Sequence, residues 1–180
     1  MALLTKPQIV KLLTRLGELA GQKGYQVELL LMGGAVMVLK YEARLSTRDL
    51  DAVILSPSAV QNVRALIKQI ASEQGLPEDW LNDAAKGYLM TTSEGEIIFS
   101  APGIVAKTPS IAQLLAMKLS AWRDDVDIED ARRLLRELTG ERNQIWQTLE
   151  PFLVPNAELK AQYAFLDLWE TTHGKNRTIG

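Results

Sequence analysis

A pair of glycines followed by a pair of aspartates carries most of the chemistry that this sequence suggests. Gly33 and Gly34 end a short apolar run, Val27 to Met32, and stand at the start of a predicted helix. Backbone N–H groups are unpaired at such a junction, and a residue without a Cβ lets a phosphate approach them closely. The two glycines are therefore candidate phosphate-binding residues.

Two aspartates on a predicted strand complete this candidate site. Asp49 comes fifteen residues after Gly34, and Asp51 follows it in the strand predicted for Leu50 to Leu55. Side chains alternate along a strand, so we expect both carboxylates on one face, with Leu50 pointing into the fold. Two carboxylates beside a phosphate-binding turn form a hard-oxygen site that suits Mg²⁺ and a nucleoside triphosphate.

Composition removes several other kinds of chemistry. The 180-residue chain has 0 cysteines and 1 histidine, His173. Cysteine nucleophiles and disulfides are therefore excluded, and a His-rich zinc site or a Ser-His-Asp triad is hard to build. The net charge of −2 disfavours general DNA binding, which needs clustered basic residues.

The sequence also predicts a cytoplasmic location without membrane contact. The N-terminus, MALLTKPQIV, does not have the pattern of a secretory signal. No apolar stretch approaches the roughly 18 to 20 residues that a membrane span needs.

Apolar periodicity predicts an α+β fold, in which a mixed sheet flanked by helices precedes a C-terminal helical bundle. The predicted strands are 27–32, 50–55, 88–92, 96–99 and 104–106. The predicted helices are 7–20, 35–41, 56–73, 111–122, 128–138, 142–152 and 157–169. We predict an α+β domain at 1–108, a helical domain at 109–172 and a disordered tail at 173–180.

The stretch that holds the glycines and aspartates, LMGGAVMVLKYEARLSTRDLDAVI, resembles the nucleotidyltransferase superfamily related to DNA polymerase beta. The signature of that superfamily is a Gly-Gly or Gly-Ser turn followed by an Asp-x-Asp strand. The form seen here is similar to a bacterial branch with minimal nucleotidyltransferases and abortive-infection toxin nucleotidyltransferases. The stretch DWLNDAAKGYL, with Asn82 and Asp83, resembles an uncharacterised bacterial subgroup of the same superfamily.

A second match lies in the helical half, in LLAMKLSAWRDDVDIEDARRLL. It is similar to that branch's pattern of a lysine and an arginine on one helix, followed by an Asp-x-x-Asp that opens the next. The matching positions here are Lys118, Arg123, Asp124 and Asp127.

The resemblance implies a Mg²⁺-dependent nucleotidyltransferase, which moves a nucleoside monophosphate from a triphosphate, ATP being expected, to an acceptor hydroxyl. In that mechanism the two aspartates are catalytic and bind the metal, and the two glycines hold the β- and γ-phosphates. The remaining nucleotide-binding positions that it implies are Lys118, Asp124 and Asp127, and Arg48 is a further candidate because it stands beside the aspartates. A third catalytic acid is expected from a later strand, and Glu96 is the candidate.

The acceptor and the biological setting stay open at this point. A tRNA, a protein or a small molecule would each offer the required hydroxyl. The same branch includes toxins of bacterial toxin–antitoxin and phage-defence pairs, so an antitoxin protein is an expected partner.

An alternative is a catalytically degenerate member that serves as a nucleotide-binding or protein-interaction module. The later strand, EGEIIFSAPG, has Glu96 at its start and no acid inside it. Plain structural roles are open as well. Asp124 and Asp127 also fit a structural role as acids at the N-terminus of a helix, where they favour the helix dipole. Lys118 also fits a solvated lysine on the helix surface. Arg44 and Arg48 either position the triphosphate or balance the charge of the aspartates.

Overall fold

Helices and a mixed sheet in the described residues confirm the α+β prediction. The structure is a computed structural model, and it describes residues 3–56, 59–82, 91–93 and 95–174. Contacts divide this part of the chain into two units. The first unit contains the described residues up to Asn82 together with 95–109, and the second contains 91–93 and 110–174.

The first unit carries the sheet and three helices. Its elements, in chain order, are β1 (Leu4–Thr5), α1 (Lys6–Gln22), β2 (Val27–Met32), α2 (Gly33–Leu39), β3 (Ser46–Thr47), β4 (Leu50–Ile54), α3 (Val60–Gln74), β5 (Leu81–Asn82), β6 (Ile97–Ala101) and β7 (Ile104–Lys107).

Five of these strands form one mixed sheet in the order β5-β4-β2-β7-β6. The pairs β2–β4 and β6–β7 are antiparallel, whereas β2–β7 and β4–β5 are parallel. The central strand β2 is apolar except for Glu28, which forms an ion pair with Lys107 of β7 (Oε1 to Nζ, 2.6 Å). Leu29, Leu30, Leu31 and Met32 are all buried, so both faces of β2 are covered, which explains the uninterrupted apolar run after Glu28.

Helix α1 shows how the apolar spacing translates into packing. Ile9, Leu13 and Leu16 lie three or four positions apart and are fully buried. The helix contacts β7 of the sheet and α3. The predicted amphipathic helix is therefore confirmed, and its apolar side covers part of the sheet.

Three short strands were not predicted. Strands β1 and β3 pair with each other in a separate two-stranded sheet, and β5 adds an edge to the main sheet. Each has only two residues, which is too short for a two-residue period to stand out. Of the strand predicted at 88–92, residues 88–90 lie outside the described residues, and Thr91 and Thr92 are not in a strand.

The second unit is helical, as predicted. It consists of α4 (Ile111–Ala121), α5 (Asp125–Leu135), α6 (Arg142–Leu149), a 3₁₀ turn at Glu150–Phe152 and α7 (Glu158–His173). Helix α4 contacts α5, α6 and α7, and its residues Leu115, Ala116 and Leu119 are fully buried. Helix α7 runs four residues past its predicted end, and the predicted tail beyond Gly174 lies outside the described residues.

Candidate functional site

The glycine pair lies at the junction of β2 and α2, as the sequence predicts, and forms the first two residues of α2. Gly33 is the first residue of α2 and has φ of +58°, a conformation that side chains with a Cβ rarely adopt. A Cβ placed on Gly33 would also lie 2.8 Å from Oδ2 of Asp51. Glycine is therefore needed here both for the backbone conformation and for the approach of a carboxylate.

The two aspartates flank the start of β4. Asp51 is in the strand, with Met32 of β2 as its partner in the ladder, and Asp49 stands one residue before the strand begins. Both side chains are half-buried, whereas Leu50 between them is fully buried. This alternation confirms the predicted side-chain pattern and leaves the two carboxylates accessible at the end of β2 that leads into the glycines.

Strand β5 brings a polar side chain to the same end of the sheet. Asn82 pairs with Asp51 in the parallel ladder, and its side-chain Nδ2 donates a hydrogen bond to Oδ2 of Asp49 at 3.4 Å. The sequence supplied Asn82 only through a family resemblance, and it suggested no role for this residue. Asp83, named with it, lies outside the described residues.

The second glycine has a different neighbour. A Cβ on Gly34 would lie 2.2 Å from Oγ1 of Thr47 and 3.2 Å from Nη1 of Arg44. Thr47 is buried and belongs to β3, and Arg44 is half-buried in the segment before it. The structure thus brings Arg44 to the glycine pair, while Arg48 is an exposed residue between β3 and β4.

Glu96, the predicted third acid, does not join the aspartates. It precedes the edge strand β6, and the strands β2 and β7 lie between β6 and β4. Three strand spacings separate its backbone from that of Asp51 by about 14 Å. Its carboxylate forms an ion pair with Lys40 instead. Glu96 is far from the aspartates because β6 lies at the edge of the sheet. The sequence predicts the strands but not their order in the sheet, so it did not predict this separation.

The predicted residues of the second unit form a compact ion cluster between α4 and α5. Lys118 Nζ lies 2.8 Å from Oδ1 of Asp127 and 2.8 Å from Oδ2 of Asp130. Arg123 donates from Nε to Oδ2 of Asp127 at 3.0 Å. Asp124 caps α5, since its Oδ1 accepts a hydrogen bond from the backbone N–H of Asp127 at 3.0 Å.

Burial separates this cluster from the aspartates of the sheet. Asp127 and Asp130 are each only 2% exposed, and Lys118 supplies one positive charge to both. Burial opposes ionisation of Asp127, but hydrogen bonds from Arg123 and Lys118 outweigh it and lower its pKa from 3.8 to about 2. These contacts account for Lys118, Asp124 and Asp127 as structural residues, and nucleotide binding by them stays a prediction.

The residues at the sheet end fit a magnesium ion that also binds substrate. Mg²⁺ usually binds proteins through one or two carboxylates, with phosphates and waters completing its octahedron. Asp49 and Asp51 supply two carboxylates, and Oδ2 of Asp51 lies in the space against Gly33 that a Cβ would otherwise fill. Among the described residues, no group of three or more acidic, histidine or cysteine side chains is placed to hold a metal.

Comparisons with known proteins add no relative. No protein-family model, curated protein or solved structure matches this chain. Within the described residues, no helix is both long and apolar enough to cross a membrane.

Proposed function

We propose that this protein is a Mg²⁺-dependent nucleotidyltransferase, which transfers a nucleoside monophosphate from a triphosphate to an acceptor hydroxyl. One observation carries the proposal: two half-buried carboxylates, Asp49 and Asp51, stand beside a glycine turn in which Gly33 has φ of +58°. The glycine permits the carboxylate and a phosphate to share a small volume, because no Cβ intervenes.

Each residue of the site has a defined task in this proposal. Asp49 and Asp51 would hold the metal, which when bound would offset the negative charge of the triphosphate. The backbone N–H groups of Gly33 and Gly34 hold phosphate oxygens. Arg44 lies against Gly34, where its guanidinium supplies positive charge to the same phosphates.

The transfer itself is a displacement at the α-phosphorus. The acceptor oxygen forms a bond to that phosphorus, and the bond from the α-phosphorus to the oxygen bridging to the β-phosphate breaks. Pyrophosphate leaves with the electron pair, and the hydroxyl proton passes to solvent. The site's contribution is to position the triphosphate and stabilise its charge, which are the main sources of rate in phosphoryl transfer.

The partners are part of the proposal. ATP is the first triphosphate to test, and the acceptor is a hydroxyl of a tRNA, a protein or a small molecule. An antitoxin protein would be the natural inhibitor of such an enzyme. We place the protein in the cytoplasm, where magnesium and triphosphates are both abundant.

A transfer assay tests the proposal directly. The protein is incubated with Mg²⁺ and each α-labelled triphosphate in turn, with tRNA, protein and small-molecule acceptors. We expect label to appear on one acceptor and to vanish with the Asp49→Asn/Asp51→Asn double variant. Asp167→Asn, in an exposed position of α7, is the matched control and should transfer label as the wild type does.

Two outcomes would contradict the proposal. If folded wild-type protein transfers label to no acceptor class, the proposed enzymatic activity is ruled out. Transfer that survives in the double variant removes these aspartates from the mechanism.

A nucleotide-binding module without turnover is the second candidate. The position of Glu96 favours it, because no third acid among the described residues stands near Asp49 and Asp51. Calorimetry with ATP and Mg²⁺ separates the two functions. Tight binding without transfer supports a module that senses nucleotide, whereas transfer supports the enzyme.

A further inference from the structure

Asn82 of β5 adds an amide side chain to the glycines and aspartates of the candidate site. Among the described residues, Asn82 is the amide side chain with a hydrogen bond to Asp49 (Nδ2 to Oδ2, 3.4 Å). It reaches Asp49 from a neighbouring strand, since its ladder partner is Asp51 rather than Asp49. One residue thus touches both halves of the Asp-x-Asp motif, one through the ladder and the other through its side chain.

The short strand β5 is held firmly enough to keep that amide in place. Trp80, directly before β5, is 1% exposed, and its Nε1 donates to the carbonyl oxygen of Ile67 in α3 at 3.0 Å. The carbonyl oxygen of Trp80 accepts a hydrogen bond from the N–H of Leu50 at 2.8 Å. Two anchors therefore fix β5, one on α3 and one on the residue between the aspartates.

We propose that Asn82 is a positioning residue that holds the Asp49 carboxylate in its metal-binding orientation. An amide N–H fixes the rotamer of a carboxylate without adding negative charge to the site. Groups that orient metal ligands in this way typically change metal affinity 10- to 100-fold when they are removed. The inference rests on the proposed function, because it assigns a metal to Asp49.

The first measurement depends on neither metal nor nucleotide. In the full-length protein, Hα–Hβ couplings of Asp49 report whether its side chain occupies one χ1 rotamer or several. We expect one rotamer in the wild type and averaged couplings in Asn82→Ala. Asn82→Asp should also average them, because it keeps the shape of the side chain but replaces the donor with a negative oxygen. Asn62→Ala and Asn62→Asp, at an exposed position of α3, are the matched controls.

The second measurement is Mn²⁺ affinity, measured by calorimetry with a non-hydrolysable ATP analogue. Mn²⁺ serves as the probe for the magnesium position. We expect Asn82→Ala to weaken Mn²⁺ binding at least about tenfold, and Asn62→Ala to leave it unchanged. Asn82→Asp conserves volume, so it keeps the rotamer test decisive even where Asn82→Ala fails to fold.

The outcomes separate this inference from the proposed function. Unchanged Asp49 couplings in Asn82→Asp overturn the positioning role, and so does unchanged Mn²⁺ affinity in a folded Asn82→Ala. A wild-type protein that binds no Mn²⁺ with the analogue contradicts the proposed function and the metal part of this inference. The couplings then still decide whether Asn82 orients Asp49.

Discussion

The two units of this protein each contain a pair of aspartates, and the pairs differ in what surrounds them. In the second unit, Asp127 and Asp130 are 2% exposed and share Lys118 as a counter-ion. In the first unit, Asp49 and Asp51 are half-buried beside a glycine turn. Buried carboxylates depend on the cations beside them, because losing such a partner leaves an uncompensated buried charge, whereas half-exposed carboxylates can bind a cation from solution. The same residue type therefore serves structure in one unit and is available for chemistry in the other.

The largest expected effect comes from removing the shared cation of the buried pair. Lys118→Met leaves two buried carboxylates with less compensation, and it should lower the free energy of unfolding of the second unit by about 3–5 kcal/mol. Urea denaturation followed by circular dichroism measures this loss.

The matched control for this variant is Lys68→Met. Lys68 pairs with Glu78 on the surface, where the two side chains are 65% and 70% exposed, so its loss should stay below about 1 kcal/mol. Equal losses in the two variants would contradict a stabilising role for the buried cluster.

Acid should weaken the buried pair next. The pKa of Asp127 is lowered in the folded state from 3.8 to about 2, so its stabilisation is present above about pH 4. It is lost as the pH falls from about 4 towards 2, and the loss amounts to about 2 kcal/mol. Wild-type protein and Asp127→Asn should differ in the slope of unfolding free energy over this interval. Parallel slopes would show that Asp127 titrates as an ordinary carboxyl.

A smaller effect is expected at the glycine turn of the accessible pair. Gly34→Ala would place a Cβ 2.2 Å from Thr47 Oγ1, and the required shift should cost at least about 1 kcal/mol. Gly21→Ala adds its Cβ in open space inside α1, so it should be neutral or stabilising. A Gly34→Ala protein as stable as wild type would mean that Thr47 can move away at no cost. Thermal unfolding of the two variants measures the difference.

The smallest effect on stability is expected from the accessible carboxylates themselves. Asp49→Asn/Asp51→Asn should change the free energy of unfolding by less than about 1 kcal/mol, because neither side chain is fully buried. The same variant should lose Mn²⁺ binding measured by calorimetry. A large loss of stability would place these aspartates in the same class as Asp127 and remove the contrast between the units.

Strong local patterns made the α+β class and several elements predictable from the sequence. The apolar spacing of α1 and the apolar run of β2 are both recognisable over several consecutive residues. Alternation around Leu50 likewise predicted that Asp49 and Asp51 would share an accessible side. In each case the signal lies within a few consecutive residues.

Features that depend on the order of strands were not predictable in this way. The Lys40–Glu96 ion pair and the contact between Asn82 and Asp49 join residues that are far apart in sequence. Asn82 lies in a stretch rich in turn-forming residues, and a two-residue strand leaves no periodic signal. In the second unit, Arg133 pairs with Glu137, and Glu129 stands at the same four-residue spacing on the other side of Arg133. Helical spacing admits either partner, so spacing alone does not predict the pair with Glu137.

The burial of Trp80 has an optical consequence. It is the one tryptophan of four that belongs to the first unit; Trp122, Trp146 and Trp169 belong to the second. Replacing those three with phenylalanine would leave a single emitter in an apolar environment, whose fluorescence shifts to longer wavelength when water reaches it. Because the carbonyl oxygen of Trp80 accepts a hydrogen bond from the N–H of Leu50, that shift in emission would report the separation of β5 from β4.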